Sequence, residues 1–319
     1  MGCCFGAPEK FGLKSCHEPG PATTLWMAAS SGARRIGQPG RQLCPSKQAI
    51  QRSPMSTKIS SWPAATPMWV DLGVNDLPAA RSYYAELFGW EYVSGGEGSG
   101  DYLLAHADGR AVAGVGPKQD PGMATVWTTY LATDDVDVTA KKVIANGGQL
   151  IAPPFDVLDS GRMALAMDSV GAVFGLWQAG THIGAERVNE HGALCWNELH
   201  TRDYASAQAF YSKVFDASYQ DISGDDFTYS TFKRPSDGRE VGGVHHDTDM
   251  PEGLPNYWLA WFASDDVDGT AEKALELGSS LLAPVMDSPF GRMAIVQGPQ
   301  GETFGIIDTP PTGDQSASE

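Results

Sequence analysis

The chain has 319 residues, enough for two domains that each bury a core. Apolar residues make up 42% and charged residues 19%, the balance of an ordinary globular protein, and no apolar run approaches the roughly 18 residues of a membrane-spanning helix. The net charge of −17 is uneven: residues 1–54 hold seven Lys/Arg against two acids, leaving 15 basic and 37 acidic residues, or −22, beyond them. A body so acidic repels nucleic acid and anionic membranes and attracts cations.

Residues 1–54 show neither helical nor strand periodicity and are rich in Pro, Gly, Ser and Arg. Three readings stand. Met1-Gly2-Cys3-Cys4 hints at dual acylation, although Gly6 occupies the place where Ser or Thr is preferred. An Arg- and Ser-rich, acid-poor leader also fits an organelle transit peptide. The composition favours a third reading, a disordered extension, with Met55 as a natural start if translation begins downstream. The leader is therefore expected to be disordered and to lie outside the fold. Four of the five cysteines (Cys3, Cys4, Cys16, Cys44) fall within it. Only Cys195 remains in the body, so no internal bridge forms there; this fits a reducing compartment, and a cytoplasmic location is expected.

Internal repetition organises everything after the leader. Met68-Trp69-Val70-Asp71-Leu72-Gly73-Val74-Asn75-Asp76 aligns with Cys195-Trp196-Asn197-Glu198-Leu199-His200-Thr201-Arg202-Asp203. Asp134-Asp135-Val136-Asp137 matches Asp265-Asp266-Val267-Asp268, Gly161-Arg162-Met163-Ala164 matches Gly291-Arg292-Met293-Ala294, and Phe174-Gly175 matches Phe304-Gly305. Such a register marks a duplication. The expected organisation is a disordered leader over 1–54, a first domain over 67–178, a polar linker over 179–192, a second domain over 193–309 and a disordered tail over 310–319.

Within the first half, residues 68–74 alternate as a strand, and Asp76 is placed to cap a helix. Ala80, Tyr83, Tyr84, Leu87 and Phe88 form one apolar stripe of that helix, repeated by Ala207, Phe210, Tyr211, Val214 and Phe215. Short strands are expected near 101–105 and 110–116. A strand over 125–133 leads to a second helix that Gly147-Gly148 ends, and two strands near 162–167 and 172–177 close the half.

These features resemble the vicinal oxygen chelate superfamily of glyoxalases, bleomycin-resistance proteins and dioxygenases, in its two-domain actinobacterial branch. The residues that carry the resemblance are Val74-Asn75-Asp76-Leu77 with Phe88-Gly89-Trp90, the helix end Ala145-Asn146-Gly147-Gly148, and the closing Asp168-x-x-Gly171-x-x-Phe174. The closing run recurs loosely as Gly298-Pro299-Gln300-Gly301-Glu302-Thr303-Phe304. The resemblance implies an α+β fold of tandem glyoxalase/bleomycin-resistance-type domains with four βαβββ units, covering residues 67–309. Its metal-dependent members hold a divalent cation with His, Gln or Glu. Carried onto this chain by motif register, the implied positions are Trp69, Gly114, Thr128 and Gly175, then Trp196, Gly243, Leu259 and Gly305. None is a good ligand, so no metal and no other cofactor is expected.

Residues two apart on a strand share a face, which carries the cleft lining outward from those positions. The first cleft is expected to present Trp69, Asp71, Thr128, Tyr130 and Trp177, and the second Trp196, Glu198, His200, His245, Tyr257 and Trp261. Both sets suit a small-molecule pocket, and both also fit aromatics filling a closed core. Glu198 and His200 are the candidate catalytic pair. Trp69, Asp71, Tyr130, Trp177, Trp196, His245, Tyr257 and Trp261 are the candidate ligand contacts. The second cleft is expected to be the working one, because Asp71 and Gly73 have become Glu198 and His200 there. Glu198, His200 and His245 could do acid–base work, hold an improvised metal, or form a structural polar network. Arg162 and Arg292 are placed either to clamp an anion or to tie to Asp159 or Asp287. The Gly-rich run 94–100 lacks a P-loop lysine and reads as a loop. Cys195 reads as a small core residue facing away from the cleft.

The resulting expectation is a protein that binds, and detoxifies or sequesters, an aromatic or electrophilic small molecule without metal. The alternatives are a glyoxalase-type lyase acting through Glu198 and His200, or a protein-interaction module with vestigial clefts. No nucleic-acid or membrane partner is expected, and the chain is expected to be a monomer or homodimer.

Overall fold

The computed structural model of the chain describes Lys58 and residues 60–308. The leader over 1–54 and the tail over 310–319 lie outside the described residues. The first half runs β1 (Pro67–Val74), α1 (Leu77–Phe88), β2 (Glu91–Ser94), β3 (Leu103–Ala107), β4 (Arg110–Pro117) and β5 (Trp127–Ala132). It continues with α2 (Val136–Ala145), β6 (Gln149–Val157), β7 (Gly161–Met167) and β8 (Val173–Ala179). The second half repeats it: β9 (Leu194–Thr201), α3 (Tyr204–Phe215), β10 (Ser218–Asp221), β11 (Tyr229–Lys233) and β12 (Glu240–His246). Then follow β13 (Tyr257–Ser264), α4 (Val267–Glu276), β14 (Ser280–Ser288), β15 (Gly291–Gln297) and β16 (Thr303–Asp308). Each half is two βαβββ units sharing one eight-stranded sheet, in the orders β2-β3-β4-β1-β5-β8-β7-β6 and β10-β11-β12-β9-β13-β16-β15-β14.

Each helix starts at an aspartate in the same way. Asp76, Asp135, Asp203 and Asp266 accept from the N–H groups of Ala79, Val138, Ser206 and Gly269 at 2.9–3.1 Å, a cap worth about 1 kcal/mol each. The helix-facing residues of α1 and α3 are the two stripes read from the sequence. β2 and β6, with their repeats β10 and β14, are not among the elements expected from the sequence. All four are the outermost strands of their sheets, so they carry little buried apolar surface to announce them. The stretch 179–192 also differs from a polar linker: Ala185 and Val188 are buried, and the Ala185 N–H donates to the Met68 carbonyl at 2.8 Å.

The helices decide how the halves meet. One core draws Val70, Leu72, Val74, Tyr84 and Trp127 from the first half together with Phe262, Val296, Phe304 and Ile306 from the second. The other joins Leu131, Val143, Phe174 and Leu176 to Leu199, Phe210, Tyr211 and Trp258. The first unit of each half therefore packs on the second unit of the other. At the heart of one core, Trp127 Nε1 donates to the Tyr84 hydroxyl at 3.2 Å, and that hydroxyl donates to Glu302 Oε1 at 3.0 Å. The other core repeats the relay: Trp258 Nε1 to the Tyr211 hydroxyl at 2.9 Å, then on to Asp168 Oδ2 at 2.9 Å. This explains the loose second copy of the closing motif. Gly298 stands where Asp168 would repeat, and the Glu302 carboxylate fills the space a side chain at 298 would need. The same acid is delivered from four residues later.

Two consequences are measurable by urea denaturation. Tyr84→Phe and Tyr211→Phe should each cost about 1–3 kcal/mol, since each leaves a buried indole N–H and a buried acid short of a partner. Glu302→Ala should destabilise similarly, and adding Gly298→Asp to it should recover part of the loss; no recovery would mean the two carboxylate positions are not interchangeable.

Candidate functional site

With the helix-side faces spent on packing between the halves, the opposite face of each sheet is left to form a cleft. On β1 that face carries Trp69, Asp71 and Gly73, while Val70, Leu72 and Val74 go to the core. The first cleft encloses about 470 Å³, lined by Trp69, Asp71, Tyr102, Tyr130, Trp177 and His182 among others. Gly95, Gly98 and Ser99 stand on its rim, so the Gly-rich loop borders the cavity. Thr128 is not on the wall, although its side chain hydrogen-bonds Asp71.

Asp71 is the polar focus. Its Oδ2 accepts from the Tyr130 hydroxyl at 3.0 Å and the Tyr102 hydroxyl at 3.4 Å, and Tyr102 in turn accepts from Trp69 Nε1 at 3.1 Å. Burial pushes the Asp71 carboxyl up to about 6, and the three hydroxyl donors only partly offset that. His182 lies edge-on to Trp69, with ring centroids 4.4 Å apart. Burial holds it down to about 4, so it is neutral at physiological pH.

The second cleft is smaller, about 230 Å³, and its wall includes Trp196, Glu198, Phe227, Tyr229, His245 and Trp261. Trp196 Nε1 donates to the Tyr229 hydroxyl at 2.8 Å, and Tyr229 donates to Glu198 Oε2 at 2.9 Å, the same indole–phenol–carboxylate relay as in the first cleft. His200 lies behind Glu198. Its Nε2 meets Glu198 Oε1 at 2.9 Å and its Nδ1 meets Asp247 Oδ2 at 2.9 Å, while its ring stacks on Tyr257 at 4.9 Å. Burial alone would depress the His200 pKa, but hydrogen bonds to Asp247 and Glu198 and their negative charge outweigh it and raise the pKa to about 9. For Glu198 burial acts upward, and the hydrogen bond and charge of His200 reverse it, so its pKa falls below the usual carboxylate range. His200 and Tyr257 thus take no part in the wall expected of them: they form the support for Glu198.

The metal positions implied by the family resemblance do not fit a cation. A Cβ at Gly114 or Gly243 would collide with the hydroxyl of Tyr102 or Tyr229, and one at Gly175 or Gly305 would enter the ring of Tyr130 or Trp261. Aromatic rings occupy the space ligands would need. His200, His245 and Asp247 do offer ligand atoms within 4.8 Å of one another. However, both His200 nitrogens are engaged by carboxylates, and as an imidazolium it has no lone pair to give a metal.

Several expected placements need correction. Arg162 pairs with Asp137 at 2.8 Å and Asp156 at 2.8 Å, not with Asp159, whereas Arg292 does reach Asp287, at 3.1 Å, together with Asp268. Cys195 is the extra residue of a β-bulge between Leu194 and Trp196, so it packs half-buried beside Trp196 and Trp261 on the cleft side. Tyr102, Tyr229, His182 and Asp247 were not singled out by the sequence reading. Tyr102 and Tyr229 are 127 residues apart, the offset that also relates Trp69 to Trp196, and that register was the signal that could have found them.

Comparison with known proteins agrees with this architecture. The sequence pattern of the Glyoxalase/Bleomycin resistance protein/Dioxygenase superfamily matches residues 67–175 and 193–306. The chain belongs to this family. It is 42% identical over 263 residues to the glyoxylase-named protein CFP32 of Mycobacterium tuberculosis, covering 80% of this chain and 98% of that protein. It is 35% identical over 260 residues to the anthracycline biosynthesis protein DnrV of Streptomyces peucetius, covering 76% of this chain and 92% of that protein. Among solved structures, the Mn(II)-bound glyoxalase of Novosphingobium aromaticivorans shares the fold at a TM-score of 0.56 and 17% identity, covering 77% of this chain and 83% of that one.

The His200 pKa sets a pH signature. Because it is raised in the fold above its unfolded value of 6.5, its contribution is fully present below about pH 6.5 and is lost as pH rises through about 9. Relative to His200→Gln, the native chain should lose on the order of 3 kcal/mol of stability across that window. Parallel stability curves for the two proteins would mean that His200 is not held as an imidazolium.

Proposed function

We propose that the chain binds an aromatic small molecule between aromatic walls, sequestering or detoxifying it without a resident metal, and that the first cleft is the principal site. The observation that carries this reading is the exchange of ligand positions for rings. Tyr102, Tyr130, Tyr229 and Trp261 lie over the four glycines where the family resemblance places metal ligands. A flat, polarizable ligand gains most from such walls, through stacked and edge-on contacts with Trp69 and Trp177. The choice of the first cleft reverses the preference drawn from the sequence, and rests on its twofold greater volume and on an acid whose pKa lies near physiological pH. An aromatic ligand is also in keeping with the anthracycline biosynthesis name of a relative.

A lyase working through Glu198 and His200 is less well supported. His200 is enclosed behind Glu198 with both nitrogens committed, and a general acid needs reach to the substrate. Chemistry in the first cleft would fall to Asp71, which could accept or return a proton while Tyr102 and Tyr130 hold it in place.

Tryptophan fluorescence tests the reading. A naphthol should quench the native chain saturably, and Trp69→Leu or Trp177→Leu should weaken its binding about tenfold or more. Quenching unchanged by both substitutions would remove the ligand from the first cleft. Elemental analysis of protein purified without chelator should find only substoichiometric zinc, manganese, iron or nickel; a full equivalent that survives dialysis would overturn the metal-free reading.

A further inference from the structure

The two clefts share one relay and differ in what balances its charge. In the second, Trp196, Tyr229 and Glu198 end on His200, an imidazolium that neutralises the carboxylate inside the protein. In the first, Trp69, Tyr102 and Asp71 end on nothing positive. Gly73 occupies the position of His200, since Gly73 pairs with Gly116 as His200 pairs with His245. Lys118 takes the position of Asp247, and its ammonium turns away to the Met123 carbonyl at 2.7 Å. Among the described residues, no Lys, Arg or His nitrogen forms an ion pair with Asp71. His182, in the same wall, is neutral, and Asp156 on the far wall adds a second carboxylate, paired with Arg162.

We infer that the first cleft selects aromatic ligands that carry a protonated amine, with Asp71 as the counter-ion that the second cleft supplies to itself through His200. The inference rests on the aromatic-ligand reading of this cleft and adds the charge of the ligand to it. The Trp69, Tyr102, Tyr130 and Trp177 rings strengthen the case, because aromatic faces attract cations as well as flat rings. The cavity of about 470 Å³ leaves room for a bicyclic ring with an aminomethyl arm. The raised Asp71 pKa has the same physical origin: a buried carboxylate without a cation beside it. A ligand ammonium would take the place that the imidazolium holds in the other copy.

The test uses the full chain and three probes of nearly one shape: 1-naphthylmethylamine, 1-naphthylmethanol and 1-naphthoate, titrated at neutral pH by calorimetry. The amine should bind about tenfold or more tightly than the alcohol, and the carboxylate weakest. Asp71→Asn should erase the difference between amine and alcohol by lowering amine affinity toward that of the alcohol. Gly73→His combined with Lys118→Asp, which builds the second cleft's cation and the carboxylate that holds it into the first, should erase it too and guards against a folding defect in the Asp71 variant. Equal binding of amine and alcohol by the native chain, or a preference that survives in both variants, would overturn the inference and leave the aromatic-ligand reading standing. Failure of all three probes to bind would overturn that reading and the inference with it.

Discussion

The rest of the structure depends on the fact that neither copy covers the helix-bearing face of its sheet by itself. Each eight-stranded sheet carries two helices on one face, and the apolar residues of that face are completed by strands and helices of the other copy. The two copies therefore stabilise one another as a pair, and the Trp–Tyr–acid relays mark where they interlock. A tyrosine from a helix of one copy donates to a carboxylate in the closing turn of the other, across 218 residues of sequence in one core and 43 in the other. A buried carboxylate without such a partner would be costly, so each relay also fixes the docking geometry. Thr129 and Asn197 join the central strands at 2.8 Å between these two cores.

Because the helix faces are consumed in this way, each sheet has only its opposite face to offer to a ligand. Evolution of the two copies is then visible as divergence in clefts on a scaffold that stays constant. Both keep the indole–phenol–carboxylate relay. One copy has Glu198, held by His200 and Asp247, where the other has Asp71, and its cavity is the smaller. The other has Gly73 at the His200 position and the larger space. Trp261 stands where Tyr130 stands in the first copy, opposite the same strand position, and its Nε1 has no hydrogen-bond partner among the described residues. The first cleft offers an acid with hydroxyl donors but no cation, and the second an indole N–H in need of an acceptor.

The duplication, the Asp76 cap, the apolar stripes of α1 and α3 and the strands that bury one face were legible in the sequence, because each leaves a local pattern: a repeated register, a cap before an apolar stripe, an alternation. What escaped was set by pairing rather than by pattern. The edge strands β2 and β6 bury little on either face, so alternation does not betray them. The bulge at Cys195 shifts one residue across the sheet, and a one-residue shift reverses the face of every assignment made through it. Asp247 lies in the turn after β12, 47 residues from His200, and only the parallel pairing of β9 with β12 brings them together. Asp71 and Glu198 lie in the cavity walls, on the face that alternation along a central strand assigns them. The tyrosines lying over Gly114 and Gly243 required knowing that a missing Cβ was making room for a ring.

That exchange of side chain for ring constrains what each cleft can become. At Gly114 the Tyr102 hydroxyl sits within the volume of any side chain, and that same hydroxyl is the donor that holds Asp71. Introducing a metal ligand at 114 would thus displace Tyr102, release Trp69 Nε1 from its acceptor and strip a donor from the desolvated Asp71 carboxylate in one step. The same holds at Gly243, where Tyr229 links Trp196 to Glu198. On this backbone a metal centre built from those positions and an aromatic wall exclude one another, and no single substitution converts one into the other. The relay of indole, phenol and carboxylate is in that sense the alternative solution to the polar problem that a cation solves elsewhere in the fold: it gives a buried acid its partners, with hydroxyl and N–H donors in place of a charge.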